Sequence, residues 1–397
     1  MVEEHFLADG PESVGLDPGK VRELFERAER EIREGLLPSC QLAIARDGRI
    51  GAVKSLGRVT RMGVESDASD DTLYTIFSST KAIVSSATWL LLQEGKLDLD
   101  ELVGDIVPEF ATNGKEGIRV EQLLTHTAGF PHAPFRPLDW NDRATRLARF
   151  GRWRLNWEPG SQFEYHPSSG MWMLAEIIER RAGMDFRRFI RSRIALPLGL
   201  PDLYLGLPGE AEARVADLVH VGEEPSAEEL RVLGFPAIPI TEVTEEALQR
   251  FNRSDFRTVG VPGGGGITGA AEMALFYQAL LNGGCAHDGT RVWSEEILES
   301  ARRVRTGDMR DPYTGKLVHR GLGISIAGDD DRHWRGFGKT NSPEAFGHNG
   351  AGGQIAWADP ATGISFTYCT TGFDRHPLRL ARRSVGLSSR AALCAAR

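Results

Sequence analysis

Four consecutive residues near position 80 combine a nucleophile with a base. Ser78-Ser79-Thr80-Lys81 places a serine three residues before a lysine, and side chains three apart share one face of a helix. A serine hydroxyl is a poor nucleophile until a neighbouring base takes its proton. A lysine can be that base when burial or nearby charge lowers its pKa towards neutrality. The S-x-x-K spacing therefore predicts an activated serine, although a capping serine before a surface lysine has the same spacing.

The residues around this tetrad favour a functional lysine. An apolar run over 73–77 leads into it, and a longer apolar run over 82–92 follows it. The second run predicts a buried helix that Gly95 ends. A lysine in the first turn of a buried helix is costly unless it is paired or functional. The start of that helix would also offer N–H groups and the positive end of its dipole to a developing oxyanion.

The elements that must position the tetrad follow from apolar periodicity. A helix is predicted over 18–33, and two strands over 40–46 and 50–56 are joined at Asp47-Gly48, a hairpin turn signal. The segment 206–250 is predicted to be a surface excursion bordering the site. Further helices are predicted over 81–93, 171–181, 186–193, 270–281 and 378–395, and further strands over 321–327, 353–358 and 364–370.

Strands at both ends of the chain, with helices between them, predict an α+β fold. One antiparallel sheet would combine both chain ends and carry the terminal helices. Residues 1–80 and 255–397 would form this discontinuous sheet domain, and residues 81–254 a mainly helical domain. The serine of the tetrad would then lie at their junction, where pockets tend to form.

Composition excludes several classes of protein. The 397 residues are 41% hydrophobic and 26% charged with a formal net charge of −8, which is typical of a soluble globular protein. An acidic balance argues against a nucleic-acid binder, although Arg375, Arg379, Arg382 and Arg383 form a local basic run. The N-terminus has no signal-like pattern, no window suits a membrane helix, and four scattered cysteines indicate a reducing compartment. We therefore expect a cytoplasmic protein without a membrane partner.

Four motifs in order resemble the serine β-lactamase and penicillin-binding-protein superfamily, in its class C-like branch. They are Phe77–Lys81, Gln122–Gly129, the pair Trp157–Gly160 and Phe163–Tyr165, and His348–Gly353; S-x-x-K is the nucleophile motif of that group. The resemblance extends from about residue 15 to residue 392. It implies a β-lactamase/transpeptidase-like fold, in which an antiparallel sheet flanked by helices carries an inserted helical domain.

The resemblance assigns a role to each matching residue. Ser78 would be the acylated nucleophile and Lys81 its partner in activation. Tyr165 would share proton transfer with Lys81 and protonate the leaving group, since a nearby cation makes its phenolate accessible. Backbone N–H groups of Ser78 and Ala351 would form the oxyanion hole. The third motif, which begins at His348 and continues through Asn349 and Gly350, would bind substrate.

Other conspicuous residues are interpreted as structural. His126 belongs to a loop of the second motif, and the glycines 263–266 lack the context of a phosphate-binding loop. We therefore expect these glycines to form a tight turn beside the active-site cleft. Four aromatic residues near the motifs predict either an apolar cleft or ordinary core packing: Phe135, Trp140, Trp153 and Trp157.

Departures from the family pattern narrow the expected activity. The pattern Y-x-N becomes Tyr165-His166-Pro167, which removes a substrate-binding amide, and His348 replaces a lysine, which removes a cation able to hold a carboxylate. What is left resembles the β-lactamase-like carboxylesterases of family VIII, which lack the G-x-S-x-G elbow. The sequence thus predicts a serine carboxylesterase that acts on a small-molecule ester without a cofactor or metal, in an undefined oligomeric state. An amidase, D-aminopeptidase, weak β-lactamase or acyltransferase stays open, as does an inactive binding domain.

Overall fold

The two ends of the chain meet in one β-sheet of the computed structural model, which describes residues 2–232 and 244–396. The strands within these residues are β1 (Ser39–Arg46), β2 (Arg49–Arg61), β3 (Val64–Asp67), β4 (Tyr74–Thr75), β5 (Tyr204–Leu205), β6 (Val219–Val221), β7 (Gly266–Thr268), β8 (Ser325–Ile326), β9 (Phe346–Gly347), β10 (Ile355–Asp359), β11 (Ile364–Thr370) and β12 (Gly372–Asp374). Seven of them form an antiparallel sheet in the order β3-β2-β1-β11-β10-β9-β8.

Helices flank this sheet and fill the middle of the chain. Asp17 starts the first of them by accepting hydrogen bonds from the N–H groups of Gly19 and Lys20, as an N-cap aspartate does. The α-helices are α1 (Pro18–Arg33), α2 (Thr80–Gln93), α3 (Val103–Ile106), α4 (Val120–Thr125), α5 (Arg143–Arg152), α6 (Ser169–Ala182), α7 (Phe186–Ile190), α8 (Ala227–Val232), α9 (Glu245–Gln249), α10 (Ser254–Val259), α11 (Ala270–Leu281), α12 (Glu295–Arg302) and α13 (Pro377–Ala392).

The central strand β1 shows how the sequence places the sheet between two apolar layers. Successive side chains of a strand point to opposite faces. Leu42 and Ile44 join the core beneath the terminal helices α1 and α13, while Ala43 and Ala45 join the core that includes α11 and α2. Small alanines on the second face let α11 approach the sheet closely, and α11 contacts both β1 and β11.

A three-stranded sheet of β4, β7 and β5 connects the segment before α2 to later parts of the chain. Tyr74 pairs with Thr268, and Ile267 also pairs with Tyr204. This small sheet fixes where α2 begins, and α2 in turn packs against α6. A second, parallel pair joins β6 to β12.

The predicted α+β architecture is confirmed, and several predicted elements have the expected bounds. The helices over 18–33 and 270–281 and the strand over 364–370 match α1, α11 and β11. Asp47 and Gly48 both have positive φ, 54° and 76°, as the tight hairpin between β1 and β2 requires. The division at residues 80/81 and 254/255 stays a prediction.

Other predicted bounds were wrong for identifiable reasons. Of the strand predicted over 321–327, only β8 is a strand. Gly323 has a φ of 77°, which is not a strand conformation. The N–H of Leu322 donates a hydrogen bond to the carbonyl oxygen of Ala301, and its carbonyl oxygen accepts one from the Trp89 indole. The helix over 186–193 ends at Ile190 and continues as a π-helical turn, Arg191–Ala195. Residues 233–243 of the predicted surface excursion lie outside the described residues. In the described part of the chain, no helix combines the length and apolar character needed to cross a membrane.

Candidate active site

A strained turn presents Ser78 at the start of α2. Phe77, directly before the serine, has a φ of 44°, a left-handed conformation that is unusual for a bulky residue. Edge-on contacts of its ring with Phe251 and Phe373 hold it there, at centroid distances of 5.3 and 6.0 Å. A 3-10 turn, Phe77–Ser79, then runs directly into α2. Such strain persists only where the surroundings impose it, and it clusters at functional sites.

Lys81 lies behind Ser78 and is fully buried. Its Nζ is 3.1 Å from Ser78 Oγ and donates a hydrogen bond of 2.7 Å to the carbonyl oxygen of Gly263. Burial lowers the pKa of Lys81, while the charge and hydrogen bonding of Tyr165 oppose that shift. A lysine with a lowered pKa is a neutral amine over a wider pH range and can accept the serine proton.

The glycines 263–266 form the expected tight turn beside this pair. A Cβ on Gly263 would stand 2.8 Å from the carbonyl oxygen of Pro167, and one on Gly266 would stand 2.6 Å from Thr80 Oγ1. The N–H of Gly266 donates to that same Thr80 oxygen. The turn therefore contacts both α2, the helix that carries Lys81, and the backbone that follows Tyr165. A side chain larger than that of glycine does not fit at position 263 or 266.

Tyr165 contacts both Lys81 and two histidines. The lysine Nζ lies 5.0 Å from the centroid of the Tyr165 ring. The rings of His126 and His348 lie 4.8 and 5.9 Å from it. His126 accepts a hydrogen bond at Nδ1 from the backbone N–H of His166, so the second motif fixes the backbone next to the tyrosine. The structure thus brings together Ser78, Lys81 and Tyr165.

His348 is neutral, and its tautomer follows from its hydrogen bonds. Its Nδ1 lies 2.9 Å from the carbonyl oxygen of Asn349, and because a carbonyl only accepts, Nδ1 carries the proton. Burial and the nearby cations Arg320 and Lys81 lower the pKa of His348 well below 6.5. Its Nε2 is therefore a lone-pair acceptor, and it has no partner within the described residues.

These side chains open onto a cavity of about 480 Å³. Ser78, Tyr165, His348, Asn349 and Ala351 all line it. Lys81 lies beneath the cavity wall. Gly350 is not one of the lining residues, because it packs against the backbone of Ile76, where an added Cβ would meet the carbonyl oxygen at 2.2 Å. This contact holds the third motif beside the serine turn and brings the backbones of Ser78 and Ala351 to the same cavity.

Several cavity residues carry no sequence motif and were not predicted. Arg320 stands over the Tyr165 ring at 5.4 Å, and Trp334, 47% exposed, forms part of the wall. No local pattern marks either one. The four aromatic residues considered for an apolar cleft do not line this cavity; Trp140 and Trp153 are buried in the core instead.

The architecture and these contacts agree with the similarities of the chain to known proteins. The profile of the Beta-lactamase family matches residues 25–389. The chain belongs to the beta-lactamase family. A putative D-alanyl-D-alanine carboxypeptidase of Salmonella paratyphi B is 26% identical to this beta-lactamase-family protein over 373 residues, covering 88% of this chain and 82% of the other.

Two solved structures of the family are also similar. A penicillin-binding-protein homologue from Caulobacter crescentus is 27% identical, with a TM-score of 0.78 and coverage of 95% of this chain and 99% of the other. A family VIII carboxylesterase is 26% identical, with a TM-score of 0.74 and coverage of 94% and 98%. This confirms the resemblance predicted from the motifs and places the chain among the serine hydrolases of that superfamily.

Proposed function

We propose that this protein is a serine carboxylesterase that forms an acyl-enzyme on Ser78. The observation that carries the proposal is the 3.1 Å contact between Ser78 Oγ and the buried amine of Lys81, with Tyr165 alongside. A buried amine within hydrogen-bond reach of a hydroxyl is the arrangement that nucleophilic catalysis needs. Similarity to a solved family VIII carboxylesterase supports the choice of ester as substrate.

The proposed reaction has two acyl-transfer steps. The Lys81–Tyr165 unit takes the Ser78 proton as Oγ bonds to the ester carbonyl carbon, and the oxyanion accepts hydrogen bonds from the N–H groups of Ser78 and Ala351. The C–O bond to the alcohol then breaks, and the leaving oxygen takes the proton back through Tyr165. Water attacks the acyl-enzyme by the same route, which releases the carboxylic acid and restores the serine hydroxyl.

Two family departures support an ester over a β-lactam or a peptide. Pro167 takes the place of a substrate-binding asparagine, so its side chain offers no amide. His348 takes the place of a lysine and presents a neutral acceptor. An ester needs neither contact for its carbonyl to reach Ser78.

The test is to replace the nucleophile and follow hydrolysis of a short-chain phenyl ester. Ser78→Ala should abolish turnover and labelling by a fluorophosphonate, because no oxygen is left to acylate. Ser79→Ala is the matched control, since it makes the same change one residue away at a buried side chain. Hydrolysis by Ser78→Ala at the wild-type rate would refute the proposal.

Peptidase activity is a second candidate, favoured by the similarity to a putative D-alanyl-D-alanine carboxypeptidase. Comparing kcat/KM for phenyl esters, D-amino-acid amides, a chromogenic cephalosporin and an acyl acceptor would separate an esterase from an amidase, β-lactamase or acyltransferase. Failure of Ser78 to be labelled would favour an inactive binding domain.

We also propose that the protein acts in a reducing compartment, the cytoplasm. The proposal is supported by the cysteines, all four of which are free thiols: Cys40, Cys285, Cys369 and Cys394.

A further inference from the structure

Arg320 brings a positive charge to the reacting groups that the proposed reaction does not use. It lines the same cavity as Ser78. Its guanidinium carbon stands 5.4 Å from the centroid of the Tyr165 ring and 5.9 Å from that of Phe163. Its backbone is held by a bridge to Ser325 and by a hydrogen bond from its N–H to Thr306. The fold therefore fixes the backbone from which this side chain reaches into the cleft.

The guanidinium of Arg320 has no carboxylate partner within the described residues. Its Nη1 is shielded from solvent and finds no hydrogen-bond acceptor there. Asp311 lies on the same cavity and attracts Arg320, but its Oδ1 accepts hydrogen bonds from the N–H groups of Tyr313 and Thr314. A buried charged donor without an acceptor is costly, so an acceptor from a ligand would relieve that cost.

The other two cations of the cavity wall are already occupied. Arg335 donates to the carbonyl oxygens of Ala327 and Leu317 and pairs with Asp329. Lys316 pairs with Asp331 at 3.0 Å. Arg320 is therefore the cation of this cavity wall, among the residues that the structure describes, that is available to a ligand.

The rest of the cavity shows what kind of molecule an anion here would belong to. Phe163, Leu317, Val318 and Trp334 give the wall an apolar area. His348 offers only a neutral lone pair at Nε2, which would repel a carboxylate and accept from a donor. An anionic group is therefore directed to Arg320, and the carbon skeleton of the ligand to the apolar wall.

We propose that Arg320 binds a carboxylate of the substrate, so that the preferred ester is an anion. This inference rests on the proposed esterase function and names its substrate class. A guanidinium matches a carboxylate with two parallel hydrogen bonds. Exchange of the third-motif lysine for His348 predicted the loss of a carboxylate-holding cation, whereas Arg320 supplies one from a different segment of the chain.

The test compares esters that differ only in charge. For a carboxylate on the alcohol, the pair is 4-acetoxybenzoate and 4-acetoxybenzamide. For a carboxylate on the acyl group, it is mono-4-nitrophenyl glutarate and its neutral carbamoyl analogue. The wild-type protein should prefer the anion in at least one pair, and which pair it is locates the carboxylate on the acyl or the alcohol side.

Arg320→Gln should remove that preference. A charge-assisted bidentate contact predicts a loss of about tenfold to hundredfold in kcat/KM for the preferred anion, with a much smaller change for its neutral partner. Arg320→Lys keeps the positive charge but loses the planar pair of N–H donors, so its kcat/KM for the anion should lie between those of the wild type and Arg320→Gln. Arg303→Gln is the matched control, because it removes an equal charge from an exposed arginine outside the cavity. Melting temperatures of all variants establish that they are folded.

Two outcomes would overturn the proposal for Arg320. One is a wild-type enzyme without preference for the anion in either pair. The other is an equal loss on the neutral and anionic esters in Arg320→Gln, which would assign Arg320 to proton transfer through Tyr165 and Lys81. Failure of the proposed function is distinguishable, because it would appear as hydrolysis of neutral esters that persists in Ser78→Ala.

Discussion

Lys81 shows most clearly how a single side chain obtains a chemical role from its environment. An ammonium group in solution has a pKa near 10.4 and is not a base at neutral pH. Here the amine has no exposure to solvent, and it contacts the Ser78 hydroxyl, the Gly263 carbonyl oxygen and Tyr165, none of which is a carboxylate. A carboxylate would have held the proton on the lysine, but Gly263 supplies only a dipole. Burial therefore dominates and lowers the pKa.

This pKa shift predicts the pH dependence of the reaction. The proposed base is the neutral amine of Lys81, so kcat/KM should fall as pH drops through the pKa of Lys81 and should level off above it. Because the pKa of Lys81 is lowered from 10.5, the acidic limb should lie well below that value. A pH profile of kcat/KM for a neutral phenyl ester checks this.

Lys339→Gln provides the control for that profile. Lys339 is exposed and lies outside the cavity, so its removal should leave the acidic limb in place. A wild-type limb centred at or above 10.5 would contradict the role of burial, since it would describe a lysine with ordinary hydration.

At the scale of elements, the site depends on contacts among segments far apart in the chain. The turn before α2 is set by β4, whose partner β7 follows directly from the glycine run. Ile76 donates its N–H to the carbonyl oxygen of Gly266, next to the strained Phe77. The described part of the predicted surface excursion takes part too, since Leu218 and Leu248 pack against Phe77. Positioning of Ser78 is thus shared among these segments.

Gly263→Ala should test this dependence without changing any reacting group. Its Cβ would meet the Pro167 carbonyl oxygen at 2.8 Å, so the turn must shift and move the acceptor of Lys81. We expect kcat/KM to fall by about tenfold to hundredfold, because displacing a catalytic group by about 1 Å can lower the rate of an enzyme by that much. Gly209→Ala is the control, because an added Cβ there meets no atom within 4 Å. A wild-type value of kcat/KM in Gly263→Ala would show that the turn is not needed.

At the scale of the whole molecule, a buried ion network joins the two ends of the chain. Arg383 on α13 is 1% exposed and binds Glu31 of α1 at 2.8 Å and Asp374 of β12 at 2.9 Å. Arg379 also pairs with Asp374, and Arg375 pairs with Glu245. The C-terminal basic run noted in the sequence is therefore largely neutralised within the fold. Its contacts are structural ones.

Arg383→Leu should destabilise the protein strongly. The substitution removes the buried cation that Glu31 and Asp374 share, which leaves Glu31 with Arg27 alone and Asp374 with Arg379 alone. Breaking a buried ion network in this way costs up to about 3–5 kcal/mol. Urea unfolding followed by circular dichroism measures the change in the free energy of unfolding. Arg382→Leu, an exposed neighbour, should change it by less than about 0.5 kcal/mol. Equal stability of the two variants would contradict a stabilising role for the network.

Local patterns predicted those parts of the fold that local physics controls. The periodicity over 18–33 and 270–281 marks α1 and α11, since one face of each must be buried whatever its partner. The strand over 321–327 was not predictable in the same way. The backbone of Leu322 forms hydrogen bonds with Ala301 of α12 and Trp89 of α2 instead of with a neighbouring strand. A short apolar run has the same appearance in a buried loop and in a buried strand.

By itself the sequence determined the family, the α+β class and the identity of Ser78, Lys81 and Tyr165 as candidate reacting groups, because these depend on residue type and short spacing. Only the tertiary structure decided what surrounds them. Arg320 carries no motif, and the proton position on His348 follows from its contact with the Asn349 carbonyl. Burial, pKa and the charge of the cavity arise from segments hundreds of residues apart, and spacing along the chain does not record their distance in space.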